Sequence, residues 1–419
     1  MEKLALLGGK PTKTNPFPAW PQYDQNEEKA LMEVLHSGVW WRTPGTKTLQ
    51  FEQDFAKYHQ VNYGVACTNG TAAIEIAMAA LGIGLGDEVI VPVFTFVATA
   101  SAVLSVGALP VMVDVDPETF NINPDHVEKA ITPRTKAIIC VHVGGMPCDM
   151  DRLQEIAQKH NLLLVEDCAH AHGSEWKGQK VGSMGACGTF SFQASKLMTA
   201  GEGGIIITKD ADLEVRLRSV HDCGRMPGEW FYSHFINGSN YRLSEWQGAV
   251  LSQQLNRLDE QSAKREKNSA YLNRELAKIE GVCPQKRDAR VTRNGTYCYI
   301  FHYDPKAFNE LNAEKFIEAF NAEGIPTQAS YPSLHKLAVF QNGEYLKRLS
   351  PEVAKEKHAF LKQDFPVSDD AAENTIWLVH RTLLGTEQDT AEIVEAVKKI
   401  QVSAEELTHL RANLAVWKK

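Results

Sequence analysis

From residue 63 onward the chain alternates short, wholly apolar runs with stretches whose apolar residues recur every three or four positions. The runs at 63–67, 88–93, 110–115, 137–143 and 162–166 read as strands, and those at 72–81, 98–105 and 150–160 as helices. Most of these strands are apolar at every position, so both faces must be covered, and the pattern predicts a mostly parallel sheet flanked by helices. In such sheets ligands collect beyond the carboxyl ends of the strands. Upstream, the chain is rich in Pro, Trp and polar groups until 46–60, where Leu49, Phe51, Phe55 and Ala56 mark a helix face: an arm followed by a helix. A long helical region spans 243–276, with Val250, Leu251, Leu255 and Leu258 on one face and a charged stretch at 259–267. Beyond Pro284 the pattern turns α+β, with a strand at 296–303 and helices at 313–322 and 391–402. A chain of 419 residues exceeds the size of one growing core. The expectation is an N-terminal arm and large domain over 1–262 and a smaller C-terminal α+β domain over 263–419.

Charge narrows the partners. With 44 basic and 52 acidic side chains and no basic block, neither nucleic acid nor an anionic membrane is expected as a partner. No apolar run is long enough to span a bilayer, and the opening MEKLALLGGKPTKTNPF lacks a signal-peptide core, so a cytoplasmic enzyme is expected. The eight cysteines show no CxxC or metal-ligand spacing and read as free thiols. Cys168 and Cys187 lie beside the candidate chemistry but lack an adjacent base in an activating motif.

Four groups fall just beyond predicted strands. Lys196 sits between the apolar run 189–192 and a turn built on Gly201, Gly203 and Gly204. Lysines ordinarily lie in water, but one in a partly desolvated site has a lowered pKa and can attack a carbonyl. Ser191 precedes it. At 67–73, CTNGTAA opens a helix whose first amides, with Gly70 and the Thr71 hydroxyl, suit a phosphate; Thr68 or Asn69 reads equally as a plain N-cap. Phe96, in Phe94-Thr95-Phe96, offers a ring that could stack on a flat heterocycle or pack into the core. In EDCAHAHG, Asp167 needs a cationic or hydrogen-bonding partner or a turn to cap. His170 and His172 suggest a metal, but two ligands at i,i+2 without a third nearby argue against one. A phosphate cradle, a stacking ring, a carboxylate and a lysine together are what pyridoxal phosphate requires.

With LLGGKP, SGVWWRTPGT, FEQDFAKYH, NGTAAIEIA, DEVIVPVFTFVATA, PVMVDVD, VHVGGMPCDM, VEDCAHAHGS, FSFQASK, GEGGIIIT, GSNYRLSEWQGAVL and YPSLHK in this order, the sequence resembles the DegT/DnrJ/StrS family of pyridoxal-phosphate sugar aminotransferases over nearly its whole length. The resemblance implies an α/β fold of the fold-type I aminotransferase architecture. It places the cofactor-bearing lysine on Lys196, the pyridinium partner on Asp167, and His170 near the phenolic oxygen. It puts phosphate contacts on Gly70, Thr71 and Ser191, and the stacking position on Phe96. Asn240 matches an asparagine that reaches the cofactor phosphate of the neighbouring subunit, which implies a homodimer with shared sites. Trp40, Trp41, Arg242, Tyr331 and His335 stand at substrate-contact positions. CTNGT departs from the commoner TSGT spelling, and Cys168 replaces a small residue. The implied reaction is a two-stage transfer from glutamine or glutamate to a keto-cyclitol or keto sugar. LLGGKP and GSNYRLSEWQ lean toward keto-cyclitols. A nucleotide-linked keto sugar, a dehydrating or aromatising reaction, and a cofactor-binding regulator without turnover are the alternatives. Dehydrating relatives carry histidine where this chain has Lys196, and no DNA-binding module is evident for a regulator.

Overall fold

A computed structural model describes residues 3–355 and 363–410; the tail of the expected second domain, 411–419, lies outside them. After helices α1 (Gln25–Ser37) and α2 (Lys47–Tyr58), the chain runs β1 (Tyr63–Cys67), α3 (Gly70–Ala80), β2 (Glu88–Pro92), α4 (Ala98–Ser105), β3 (Leu109–Val113), α5 (Pro124–Lys129), β4 (Thr135–Val141), α6 (Met150–Lys159) and β5 (Leu163–Asp167). The short strands β6 (Glu175–Trp176) and β7 (Gln179–Lys180) precede β8 (Cys187–Ser191), β9 (Gly204–Thr208) and α7 (Ala211–His221). Seven of these strands form one sheet in the order β1-β9-β8-β5-β4-β2-β3. Pairing is parallel from β8 through β3, while β9 runs antiparallel to both β8 and β1. Only β9 is reversed, so the carboxyl ends of β1, β8, β5, β4, β2 and β3 share one edge. The strands β2, β8 and β9 are buried at every position, as a sheet covered by helices on both faces requires.

Helix α8 (Glu245–Leu276) runs unbroken through residue 262. Beyond it, β10 (Val282–Pro284), β11 (Val291–Arg293), β12 (Cys298–Tyr303), α9 (Ala313–Ala322), β13 (Thr327–Gln328) and β14 (Thr375–Val379) follow. A four-stranded antiparallel sheet, β10-β12-β14-β13, packs its Phe301, Ile376 and Leu378 against Phe316 of α9 and Ile393 and Val397 of the helix Glu387–Val402. The strand β11 leaves this layer and pairs with β6, so the chain beyond α8 also covers the first unit.

The arm expectation omits α1. The Asp24 carboxylate accepts the Asn26 amide, Glu27 bonds back to the Asp24 amide, and Gly38 ends the helix at φ +67°. Its buried positions are few (Glu27, Ala30 and Val34), while Met32 and Leu35 face outward, which blurs the apolar period. On α2, Phe51, Phe55 and Ala56 are buried as expected, but Leu49 is exposed. Thr48 and Glu52 are buried there instead, Glu52 held by Arg42 at 2.8 Å and Arg218 at 3.1 Å.

Candidate active site

At the shared carboxyl edge lies a cleft of about 750 Å³ into which Lys196, Asp167, Gly70, Thr71, Ser191, His170, Phe96 and Tyr331 all open. Lys196 lies on the connection from β8 to β9. Its base is closed by the Phe192 amide on the Gly203 carbonyl at 2.7 Å and the Ala200 amide on the Phe192 carbonyl at 3.2 Å. Gly201 at φ +82° makes the turn that a side chain would strain. Three residues remote in sequence fix the lysine's own segment. The Trp20 indole donates to the Ala194 carbonyl at 3.0 Å, the His380 ring meets the Ser195 carbonyl at 3.0 Å, and the Tyr297 phenol meets the Ser195 hydroxyl at 2.8 Å. The Lys196 ammonium lies 4.4 Å from the centre of the Tyr297 ring. Burial lowers its pKa to about 8, against the opposing pull of the Asp167 charge.

Asp167 ends β5 and turns into the cleft. Its Oδ2 accepts the Thr99 hydroxyl at 3.0 Å and its Oδ1 the Ala169 amide at 3.1 Å. Because Thr99 spends its proton there, it accepts in turn from Thr95 at 2.9 Å, giving a chain of donors that ends on the carboxylate. Burial raises the Asp167 pKa, while these donors and Lys196 pull it down. Strand alternation sends the preceding residue the other way. Glu166 accepts the amides of Gly182, Met184 and Gly185, each at 2.7 Å, and meets the His142 ring at 3.4 Å. His142, Glu166 and Cys168 cluster closely enough to suggest a metal. Those four contacts, however, occupy the carboxylate's acceptor positions, and the His142 Nδ1 accepts the Cys148 amide at 3.0 Å. The cluster is a clamp between β5 and the 182–185 loop.

Each reading of the CTNGT turn has its residue. The Asn69 side chain caps α3 by accepting the Ala72 amide at 2.8 Å. Gly70 and Thr71 then start the helix, with amides that have no intrahelical acceptor and the positive end of the helix dipole behind them. A β-carbon on Gly70 would lie 2.7 Å from that of Ser191, so only glycine lets the two phosphate candidates meet. An anionic group fits this corner, and a flat ring above it would reach from Ser191 toward Asp167 and Lys196.

His170 and His172 do not converge. His170 bonds through Nε2 to the Tyr331 hydroxyl at 3.0 Å and stacks on Tyr297 at 4.2 Å. His172 packs between Phe190 and Phe192. Burial and the nearby Lys196 charge hold both well below the ordinary histidine pKa. Phe96 stands at the rim, 5.8 Å from Tyr331. Trp40, Trp41, Arg242, Asn240 and His335 lie outside the cleft lining. Trp41 and Arg242 contact each other, with Arg242 bonded to Asp222; Trp40 leans on Trp246 at 5.5 Å, and His335 on Phe365 at 4.9 Å. Asn240 is exposed and bridges to Asp222. Cys168 and Cys187 are buried thiols; burial pushes Cys168 up to about 12 and Cys187 higher, which disables both as nucleophiles. Among the lining residues that carried no expectation are Thr99 and Tyr297. Thr99 was legible as a hydroxyl in the first turn of the helix that follows β2, whereas Tyr297 comes from the far side of α8 without a local signal.

This arrangement agrees with the chain's relatives. It is 40% identical over 389 residues to 3-amino-5-hydroxybenzoate synthase of Amycolatopsis mediterranei, covering 91% of this chain and 97% of that protein. It is 39% identical to L-glutamine:2-deoxy-scyllo-inosose aminotransferase of Streptomyces fradiae, covering 95% and 97%. The crystal structure of 3-amino-5-hydroxybenzoic acid synthase superposes with a TM-score of 0.81 at 38% identity, over 92% of this chain and all of that one. Such neighbours share the fold-type I architecture seen here. With the profile of the DegT/DnrJ/EryC1/StrS aminotransferase family matching residues 21–398, the chain belongs to that family and is an aminotransferase.

Proposed function

We propose that the chain uses pyridoxal 5'-phosphate to move an amino group from glutamine or glutamate to a keto-cyclitol or keto sugar, working in the cytoplasm to make an aminocyclitol or aminosugar. The observation that carries this reading is the opening of Lys196 and Asp167 into one cleft whose corner is a helix N-terminus suited to phosphate. When bound, the cofactor supplies a carbonyl that holds an amine and a ring that accepts electrons from the adjoining carbon. Gly70, Thr71 and Ser191 would hold its phosphate, Phe96 would cover its ring, and His170 would lie beside its phenolic oxygen. Asp167, whose charge the Thr99 hydroxyl and the Ala169 amide favour against the cost of its burial, would keep the ring nitrogen protonated. Lys196, with its pKa lowered to about 8, is neutral in roughly a tenth of molecules at pH 7, far more than an ordinary lysine, and can take a proton from the substrate carbon and return it. Donor and acceptor use the cleft in turn, the donor leaving as a keto acid before the ketone enters.

Two features favour a free cyclitol over a nucleotide-linked sugar. One is the name of the scyllo-inosose relative. The other is charge: among the described lining residues Lys196 is the one lysine or arginine, against Asp167, Glu75 and Glu202. The aromatising reading draws its support from the 40% identity to 3-amino-5-hydroxybenzoate synthase. A homodimer with shared sites is part of the proposal, supported by exposed Asn240 and by Trp230, Tyr232 and Phe235 exposed on the same loop. So is a division of the chain into two domains near residue 262. Among the described residues no helix is long and apolar enough to cross a membrane.

The test is a panel of ketones with glutamine as donor, following keto-acid release, with Lys196→Ala as control. Amination of a keto-cyclitol is the expected result. Turnover of a nucleotide-linked keto sugar alone would reverse the choice of acceptor. An unsaturated product formed without donor consumption would establish the aromatising reading.

A further inference from the structure

The ammonium of Lys196 makes no hydrogen bond among the described residues, and it lies over the face of Tyr297, 4.4 Å from the ring centre. Tyr297 is 5% exposed and closely fixed. The Ser195 hydroxyl donates to the Gln193 side-chain oxygen at 2.7 Å, so the phenol donates to Ser195 at 2.8 Å. The ring also lies in a stack, with His170 at 4.2 Å and His380 at 6.0 Å. The residue that receives the lysine charge is therefore tied to Ser195, the lysine's own neighbour in sequence.

We propose that Tyr297 is the positioning residue of Lys196: its ring face holds the ε-ammonium within the cleft whenever the lysine is free. A cation over an aromatic face is favoured by the ring quadrupole, most strongly where water is scarce. No hydrogen bond has to be broken to release it. A carboxylate in the same place would trap the lysine as a salt bridge, whereas the ring lets the ammonium give up its proton within the cleft. The other titratable groups facing it are Asp167 and Cys298, with His170 and His172 beyond, both held neutral.

The proposal rests on Lys196 as the reacting lysine, but its test needs no cofactor. In protein freed of any bound aldehyde, acylation of Lys196 by acetic anhydride is followed against pH by peptide mass spectrometry. The wild type should titrate near 8. Tyr297→Leu, which keeps the surroundings apolar but removes the face, should lower that midpoint by about one unit. Tyr297→Phe should leave it in place. Tyr297→Met gives the same readout if the leucine variant does not fold. An unchanged or raised midpoint in the leucine or methionine variant overturns the proposal, as does a phenylalanine variant shifted as far as leucine. A midpoint that shifts as expected in a protein that aminates no ketone would leave Tyr297 in its role and sink the proposed reaction instead.

Discussion

Lys196 and Asp167 were legible as single residues because each breaks a rule of its surroundings, a lysine before a glycine turn and a carboxylate ending an apolar strand. What the sequence could not display is how each is tuned. Replacing Lys196 by Ala should abolish both amino transfer and the visible absorbance of protein incubated with pyridoxal phosphate. Asp167→Asn should allow binding but lower kcat by roughly two orders of magnitude, about 2.7 kcal/mol of barrier, because on the proposed reading the ring nitrogen would lose its charged partner. Gly70→Ala would drive a β-carbon to 2.7 Å from that of Ser191, and titration with pyridoxal phosphate should show at least about tenfold weaker binding. The roles given by resemblance to Trp40, Trp41, Arg242 and His335 concern residues outside the cleft of one chain, and no local pattern could say what brings them to a substrate.

At the scale of elements, the expected bounds of α4 and α9 coincide with those observed, and most large-domain strands lie within two residues. Such strands are buried on both faces, so burial and sequence carry the same signal. The pattern is weaker where polar residues do structural work. Glu245, at the start of α8, accepts the amides of Lys47 at 2.7 Å and Thr48 at 2.9 Å, capping α2 from across the fold. A carboxylate paired with two amides nearly two hundred positions away leaves no periodic trace. Glu245→Ala should lower stability by about 2 kcal/mol, measured by urea unfolding, because buried donors lose their acceptor. The lysine segment is a similar case: its anchors Trp20, Tyr297 and His380 come from the arm and from the chain beyond α8, so its geometry depends on both ends of the molecule.

Across the whole molecule, five buried histidines have pKa values held below the ordinary range by burial: His59 at about 3, His221 at about 4, and His170, His172 and His380 lower than usual. Unfolded, each takes up a proton near pH 6.5. Stability from these groups is therefore complete above about pH 6.5 and falls with acidification toward each folded pKa, by about 1.4 kcal/mol per pH unit for each group. Urea midpoints should drop between pH 6.5 and 5, and His59→Phe should flatten that slope by one proton. If Asn240 serves a neighbouring subunit, mixing inactive Lys196→Ala and Asn240→Ala proteins under conditions of subunit exchange should restore part of the activity. Glu166 and Asp167 add a different kind of lesson. Two adjacent carboxylates of nearly equal chemistry are sent to the clamp and to the cleft by nothing more than which side of β5 they leave. The reading frame of that strand is thus a stored instruction. One residue inserted into β5 would preserve the composition and apolar character of this region while sending Glu166 into the cleft and Val165 into the clamp. Relatives should tolerate length changes ahead of α6 far better than between it and Asp167.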